Sequence, residues 1–209
     1  MKGIFITQNN KINLSPYSLI TTNVIMLMGL FFFSCENTIT DIPVDINYGV
    51  VINEINYRSS DSFNPEDWLE LYNPTNETIA MDLWIFKDDN NNTFTIPENT
   101  ILSAGDFIVL CKDGAAFESQ FPQVANFIGD FGFGLSGGGE LLRLFDSNEQ
   151  LVDKVEYNDI APWPTEPDGT GPTLELINPY LENDMASSWA ASNAEGGTPG
   201  EKNSVYDDE

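Results

Sequence analysis

Asp67-Trp68-Leu69-Glu70-Leu71-Tyr72-Asn73-Pro74 decides the fold. Apolar and polar side chains alternate from Trp68 to Tyr72, the period of a strand whose two faces meet different surroundings, and Asn73-Pro74 ends it because proline lacks the N–H that a ladder needs. Upstream stands the run Val50-Val-Ile-Asn-Glu-Ile55. Downstream, 79–86 and Thr93-Phe-Thr-Ile96 flank the polar loop 87–92, predicting a hairpin. Phe107-Ile-Val-Leu-Cys111 is a continuous apolar run, and Leu141-Leu-Arg-Leu-Phe145 and 151–157 stand on either side of Asp146-Ser-Asn-Glu-Gln150. Thr173-Leu-Glu-Leu-Ile177 closes the series. Short strands at this spacing, without a sustained helical period, predict an all-β sandwich rather than an α/β fold. Only 114–123 is expected to form a helical turn or two.

Composition narrows the function. The 209 residues hold 33 acidic and 8 basic side chains, a formal net charge of -25, and no histidine. Phosphate recognition needs clustered Lys and Arg, so nucleic acid is excluded as a partner, and bare anionic lipid is repelled for the same reason. The absence of histidine removes Ser-His-Asp and Cys-His catalysis and His-ligated zinc, leaving carboxylate-only chemistry such as glycoside hydrolysis as the enzymatic alternative.

Residues 1–34 carry Lys2 and Lys11 but no acid, and they end in the apolar run 24–33 followed by Ser34 and Cys35. A basic start, an apolar stretch of roughly 7 to 15 residues and a small residue at the cut make a secretory signal. Phe32-Phe-Ser-Cys35 resembles the lipobox of bacterial lipoproteins. That resemblance implies cleavage after Ser34 and acylation of Cys35, whose chains bind membrane at about 0.8 kcal/mol per buried methylene. The alternative is an uncleaved membrane helix over 17–33, and either arrangement puts the remainder outside the cytoplasm. Residues 35–48 are read as the lipidated terminus and a polar tether. A folded domain is expected over 49–203, with an acidic tail at 204–209.

The blocks Val51-Ile-Asn-Glu-Ile55, 67–74, Asp82-Leu-Trp-Ile-Phe86, 102–110 and 135–157, with Asp153 before the last strand of that block, occur in an order that resembles the lamin tail domain. Pro162-Trp-Pro164, 169–177, Ser188-Trp189 and Gly196-Gly-Thr-Pro-Gly200 extend the likeness to the bacterial branch of that family. The resemblance implies an immunoglobulin-like sandwich across about 50–203. It also implies a generally non-catalytic module for interaction or attachment, found in nuclear lamins and in exported bacterial proteins.

Other patterns weigh less. Gly132-Phe-Gly134-Leu-Ser-Gly137 spells a phosphate-loop pattern but leads into another strand and lacks a nearby lysine, so a glycine-rich connection is expected. Asp88-Asp-Asn-Asn-Asn92 offers oxygens at alternate positions, yet Thr93 and Asn99 replace the glycine and glutamate of a calcium loop. No cofactor or metal centre is expected, with weak loop-bound calcium as the reservation. Glu54 and Glu70, inside apolar strands, are expected to hydrogen-bond backbone or loop groups rather than serve as an acid and base pair. Cys111 is read as a buried inert thiol. Trp68 and Trp84 are assigned to the core, whereas Trp163 and Trp189, in loop-rich segments, are the candidates for ligand contact through their ring faces.

Together these readings predict a non-catalytic cell-envelope lipoprotein, held to a bacterial membrane through Cys35, whose domain binds another envelope or extracellular protein. A glycan-binding accessory module is the alternative.

Overall fold

Strand β2 (Trp68–Tyr72) sets the architecture, because its alternation sends Leu69 and Leu71 to one side and Trp68, Glu70 and Tyr72 to the other. The computed structural model describes residues 49–90 and 92–208. Residues 1–34, read as a signal, and Cys35 with the whole tether to residue 48 lie outside the described residues.

β2 pairs antiparallel with β1 (Val51–Asn56) on one edge and with β7 (Phe107–Cys111) on the other. Beyond β1 come β11 (Leu174–Leu176) and β12 (Trp189–Ala191), and beyond β7 the parallel two-residue β8 (Phe127–Ile128), giving six strands in the order β12-β11-β1-β2-β7-β8. A second sheet runs β10-β9-β4-β5, from Leu151–Tyr157, Glu140–Phe145, Ile85–Lys87 and Thr93–Thr95. A small ladder joins β3 (Ile79–Ala80) to β6 (Ile101–Leu102). Helix α1 (Gly114–Gln120) follows β7 and is capped by Asp113, whose side chain accepts from the Ala116 N–H.

The main core lies between the two large sheets. Ile52, Leu69, Leu71, Ile108, Leu110, Leu174 and Leu176 meet Phe86, Leu142, Leu144 and Val155, all buried. Each such side chain stabilises the fold by about 1.5–3 kcal/mol on leaving water. Asp153, at an irregularity in β10, ties the sheets together by accepting from the Ile52 N–H and from Asn183 Nδ2, both at 2.7 Å. Burial pushes its carboxyl up to about 6.

The all-β immunoglobulin-like sandwich is as expected, with two corrections in detail. Residues 79–86 are not one strand: after β3 the chain turns at Leu83 (φ 59°), and it changes sheets. Met81 N bonds Thr100 O beside β6, whereas Ile96 N bonds Trp84 O beside β5, so one apolar run serves two ladders. Trp84 therefore precedes β4 rather than lying in a strand, although it is buried as assigned. Residues 204–207 lie against the sheet: Ser204 Oγ and Val205 N donate to Glu175 Oε2, and Asp207 N donates to Ile177 O just past β11, because a buried carboxylate and a carbonyl beyond the ladder need donors.

Candidate functional site

The outer face of the six-stranded sheet, turned away from the main core, carries the residues that the alternation sends outward, and three different covers lie over it. At one end Trp68, Val109 and Cys111 form a second apolar cluster with Phe117 of α1, Phe121 and Val124. In the middle are carboxylates. At the other end are aromatic rings.

The middle band is a ladder of three acids on adjacent strands. Glu54 of β1 stands opposite Glu175 of β11 on one side and Glu70 of β2 on the other, and all three are fully buried. The C-terminal segment 196–205 crosses them as a strap and supplies their donors. Glu70 accepts from Gly200 N at 2.6 Å and Asn53 Nδ2 at 2.9 Å. Glu54 accepts from Thr173 Oγ1 at 2.5 Å and Thr198 N at 3.0 Å. Glu175 accepts from Thr198 Oγ1 at 2.9 Å, Ser204 Oγ at 2.8 Å and Val205 N at 3.1 Å. Asn203 locks the strap further, its amide donating to Asn53 O at 2.9 Å and Leu176 O at 2.8 Å. Gly197 (φ 83°) allows the approach, since a Cβ there would collide with Glu54 Oε1.

Desolvation raises the carboxyl of Glu54 well above its ordinary range, helped by the charges of Glu70 and Glu175. Desolvation likewise raises Glu70 to about 8, against the hydrogen bonds from Gly200 and Asn53. Glu54 and Glu70 thus bond backbone and loop groups, as expected. Glu175 was not singled out in the sequence, yet its setting, Leu174-Glu-Leu176, repeats Leu69-Glu-Leu71, with an acid between two core leucines.

The aromatic end is the least covered band. The rings of Tyr72 and Phe107 stack across β2 and β7 at 4.5 Å. Together with Pro179, Lys202 and Tyr206 they line an open cavity of about 280 Å³, to which Asn53 and Asn203 also contribute. Lys202 Nζ lies 3.4 Å from the centroid of the Tyr206 ring. Tyr180, 52% exposed, borders the same end and donates from its hydroxyl to Pro74 O.

The remaining sequence candidates fall elsewhere. Trp163 and Trp189 come within 6.4 Å of each other, but Trp189 is 3% exposed and its indole N–H donates to Asn183 O. Trp163 is half-buried against the main core, so the pair does not present the shared exposed face that glycan stacking requires. Cys111 is fully buried, its thiol pushed up to about 12 by desolvation and by Asp130 and Asp113, which leaves no reactive thiolate near neutral pH. The 88–92 loop is the tip of the β4–β5 hairpin, and Asn92 donates to the Asp88 carboxylate from both backbone and side chain. Asp88, Asp89 and Glu140 bring carboxylate oxygens within 4.8 Å of one another, so any cation there would join two loop acids to Glu140 of β9 rather than use the alternate oxygens along the loop. Arg143 donates to Asp88 O, however, and places a guanidinium beside the group. The glycine-rich stretch 132–139 joins β8 to β9 without a helix.

The lamin tail domain model matches residues 47–159, more than half of the chain. The chain belongs to the lamin tail domain family. No curated protein matches it. Among solved structures, a DUF4876 family protein from Bacteroides thetaiotaomicron is similar at 11% identity, with a TM-score of 0.39 over 55% of each chain. Lamin tail domains are immunoglobulin-like, non-catalytic modules. The match takes in Glu54, Glu70, Tyr72 and Phe107, whereas Glu175, the strap and the aromatic residues from 179 onward lie beyond it.

Proposed function

We propose that the protein is a non-catalytic cell-envelope lipoprotein, anchored by acyl chains on Cys35, whose lamin tail domain attaches a partner protein through the aromatic end of the six-stranded sheet. The observation that carries this reading is the group Tyr72, Phe107, Tyr180 and Tyr206, half-buried to exposed, with Pro179 and Lys202 beside them where the face is least covered. Tyrosine supplies large contact area at low entropic cost and is enriched among residues that dominate interface energetics. The excess of acidic side chains favours a partner with a basic rim, which would speed encounter and reject polyanions. The reactive candidates are engaged: the ladder carboxylates hold the strap, and the Cys111 thiol is buried. Among the described residues no helix is long and apolar enough to cross a membrane, and lipid on Cys35 is the attachment this reading requires.

The test is capture of envelope proteins by the full chain and by a Tyr180→Ala, Tyr206→Ala double variant. A single identified protein, recovered about tenfold less by the variant, supports the reading. Recovery of polysaccharide alone, or equal recovery by both proteins, overturns it. Cys35→Ser should move the protein from the membrane to the soluble fraction.

A further inference from the structure

One hydroxyl of the strap stands between two buried carboxyls. Thr198 Oγ1 lies 2.9 Å from Glu175 Oε1 and 3.4 Å from Glu54 Oε2. A hydroxyl has one proton and bonds fully to one of them, and 3.4 Å is longer than an ordinary O–H···O bond, which leaves Glu54 Oε2 beside the Thr198 lone pairs with room for a proton of its own. The short contact identifies Glu175 as the acceptor of the Thr198 proton. Glu54 Oε1 already accepts from Thr173 and from Thr198 N, which leaves Oε2 as the oxygen facing Thr198 without a donor of its own beyond the longer half of a forked bond from the same N–H.

The surroundings offer no other compensation for three adjacent buried negative charges. Opposite Glu70 on β7 stands Val109, and opposite Glu175 on β12 stands Ala190. Around the ladder the side-chain contacts come from Asn53, Thr173, Asn203 and Ser204, all neutral. On the strap itself Glu201 and Lys202 are exposed, with Lys202 engaged over Tyr206, and on the preceding loop Glu195 is exposed beside Ser60 and Ser62. None of the described ion pairs reaches the ladder. Isolated buried carboxylates cost several kcal/mol each, and neutralisation by a proton is the ordinary remedy.

We propose that Glu54 is protonated in the folded protein and donates from Oε2 to Thr198 Oγ1, which donates in turn to Glu175, so that a single proton on the middle rung latches the C-terminal strap to the sheet. Desolvation of Glu54 acts in the same direction. A carboxyl that binds its proton more tightly when the strap is closed contributes stability that is complete below the ordinary carboxyl range. That contribution is lost as pH rises toward the folded-state value. Strap opening then releases one proton, and its equilibrium constant grows about tenfold per pH unit across the neutral range. The latch is closed in acid and loosens in alkali, opposite to the dependence expected of a carboxylate held by cations.

Amide hydrogen exchange on the full chain tests this at Thr198 and Val205. After correction for intrinsic exchange, wild-type protection should fall about tenfold per pH unit between about pH 6 and pH 8. Asp153, raised to about 6, titrates mostly below that window. Glu70 is itself raised to about 8, so the slope is assigned in a Glu70→Gln background, which keeps the relay and in which protection should still fall about tenfold per pH unit at both amides. Adding Glu54→Gln places an amide donor where the proton was, so the strap of that double variant should stay closed with protection independent of pH. Infrared spectra of the wild type and of Glu70→Gln should both contain a protonated-carboxyl band at about pH 6 that declines on titration. A flat wild-type profile, a slope unaltered on adding Glu54→Gln, or no protonated-carboxyl band in Glu70→Gln overturns the proposal.

Discussion

Asn73 shows how much one side chain closes off in this fold. Fully buried where β2 ends, it shares the two protons of Nδ2 among Glu77 O at 2.8 Å, Ser103 O at 2.9 Å and Leu102 O at 3.1 Å, and it accepts Thr75 N and Oγ1 on Oδ1. Asn73→Ala should cost about 2–4 kcal/mol, read as a lower urea midpoint at unchanged slope, because it leaves buried carbonyls without donors. Asn73→Asp, which removes the donor and adds an acceptor against the same carbonyls, should be at least as damaging. A loss within about 0.5 kcal/mol for both would show that solvent replaces the asparagine freely. In the sequence Asn73-Pro74 is legible only as the end of a strand. Two of its partners lie 29 and 30 residues downstream, beyond the reach of a local pattern.

Elements were legible in proportion to how far their pattern extends before the backbone changes partners. β2, β7 and β10 match the sequence reading residue for residue, since each is five or more residues long and stays in one sheet. β6, β8 and β12, at two or three residues, are too short to show a period. The ladder illustrates a different limit. An acid alternating with core leucines ordinarily faces solvent, and what buries Glu54 is a segment 144 residues later in the chain. Two glycines with similar backbones isolate the worth of that cover. Gly105 (φ 74°) has nothing within 4 Å of the place a methyl group would take, whereas Gly197 (φ 83°) lies against Glu54 and Thr173. Gly105→Ala should therefore cost only the left-handed conformation, about 1–2 kcal/mol, while Gly197→Ala should cost more and expose the Thr198 amide to exchange. Equal thermal shifts in the two variants would mean that the strap is not held at Gly197.

For the whole molecule the dominant fact is charge, and it acts on stability and on association in opposite directions. With 33 acids and 8 bases, most carboxylates have no basic side chain to pair with, so the folded chain concentrates repulsion that unfolding relieves. Raising ionic strength from about 10 mM to about 150 mM shortens the Debye length from about 30 Å to about 8 Å. The melting temperature should rise by roughly 2–4 °C, equivalent to about 1 kcal/mol for a chain of this size. Association with a basic-rimmed partner should slow over the same range, because the field that steers the encounter is screened while the tyrosine contacts are not. A salt titration followed by calorimetry and by stopped-flow binding separates the two effects. A melting temperature that falls with salt would show that attractive pairs outweigh self-repulsion, and an association rate indifferent to salt would show that the aromatic end recruits its partner without help from the acidic surface.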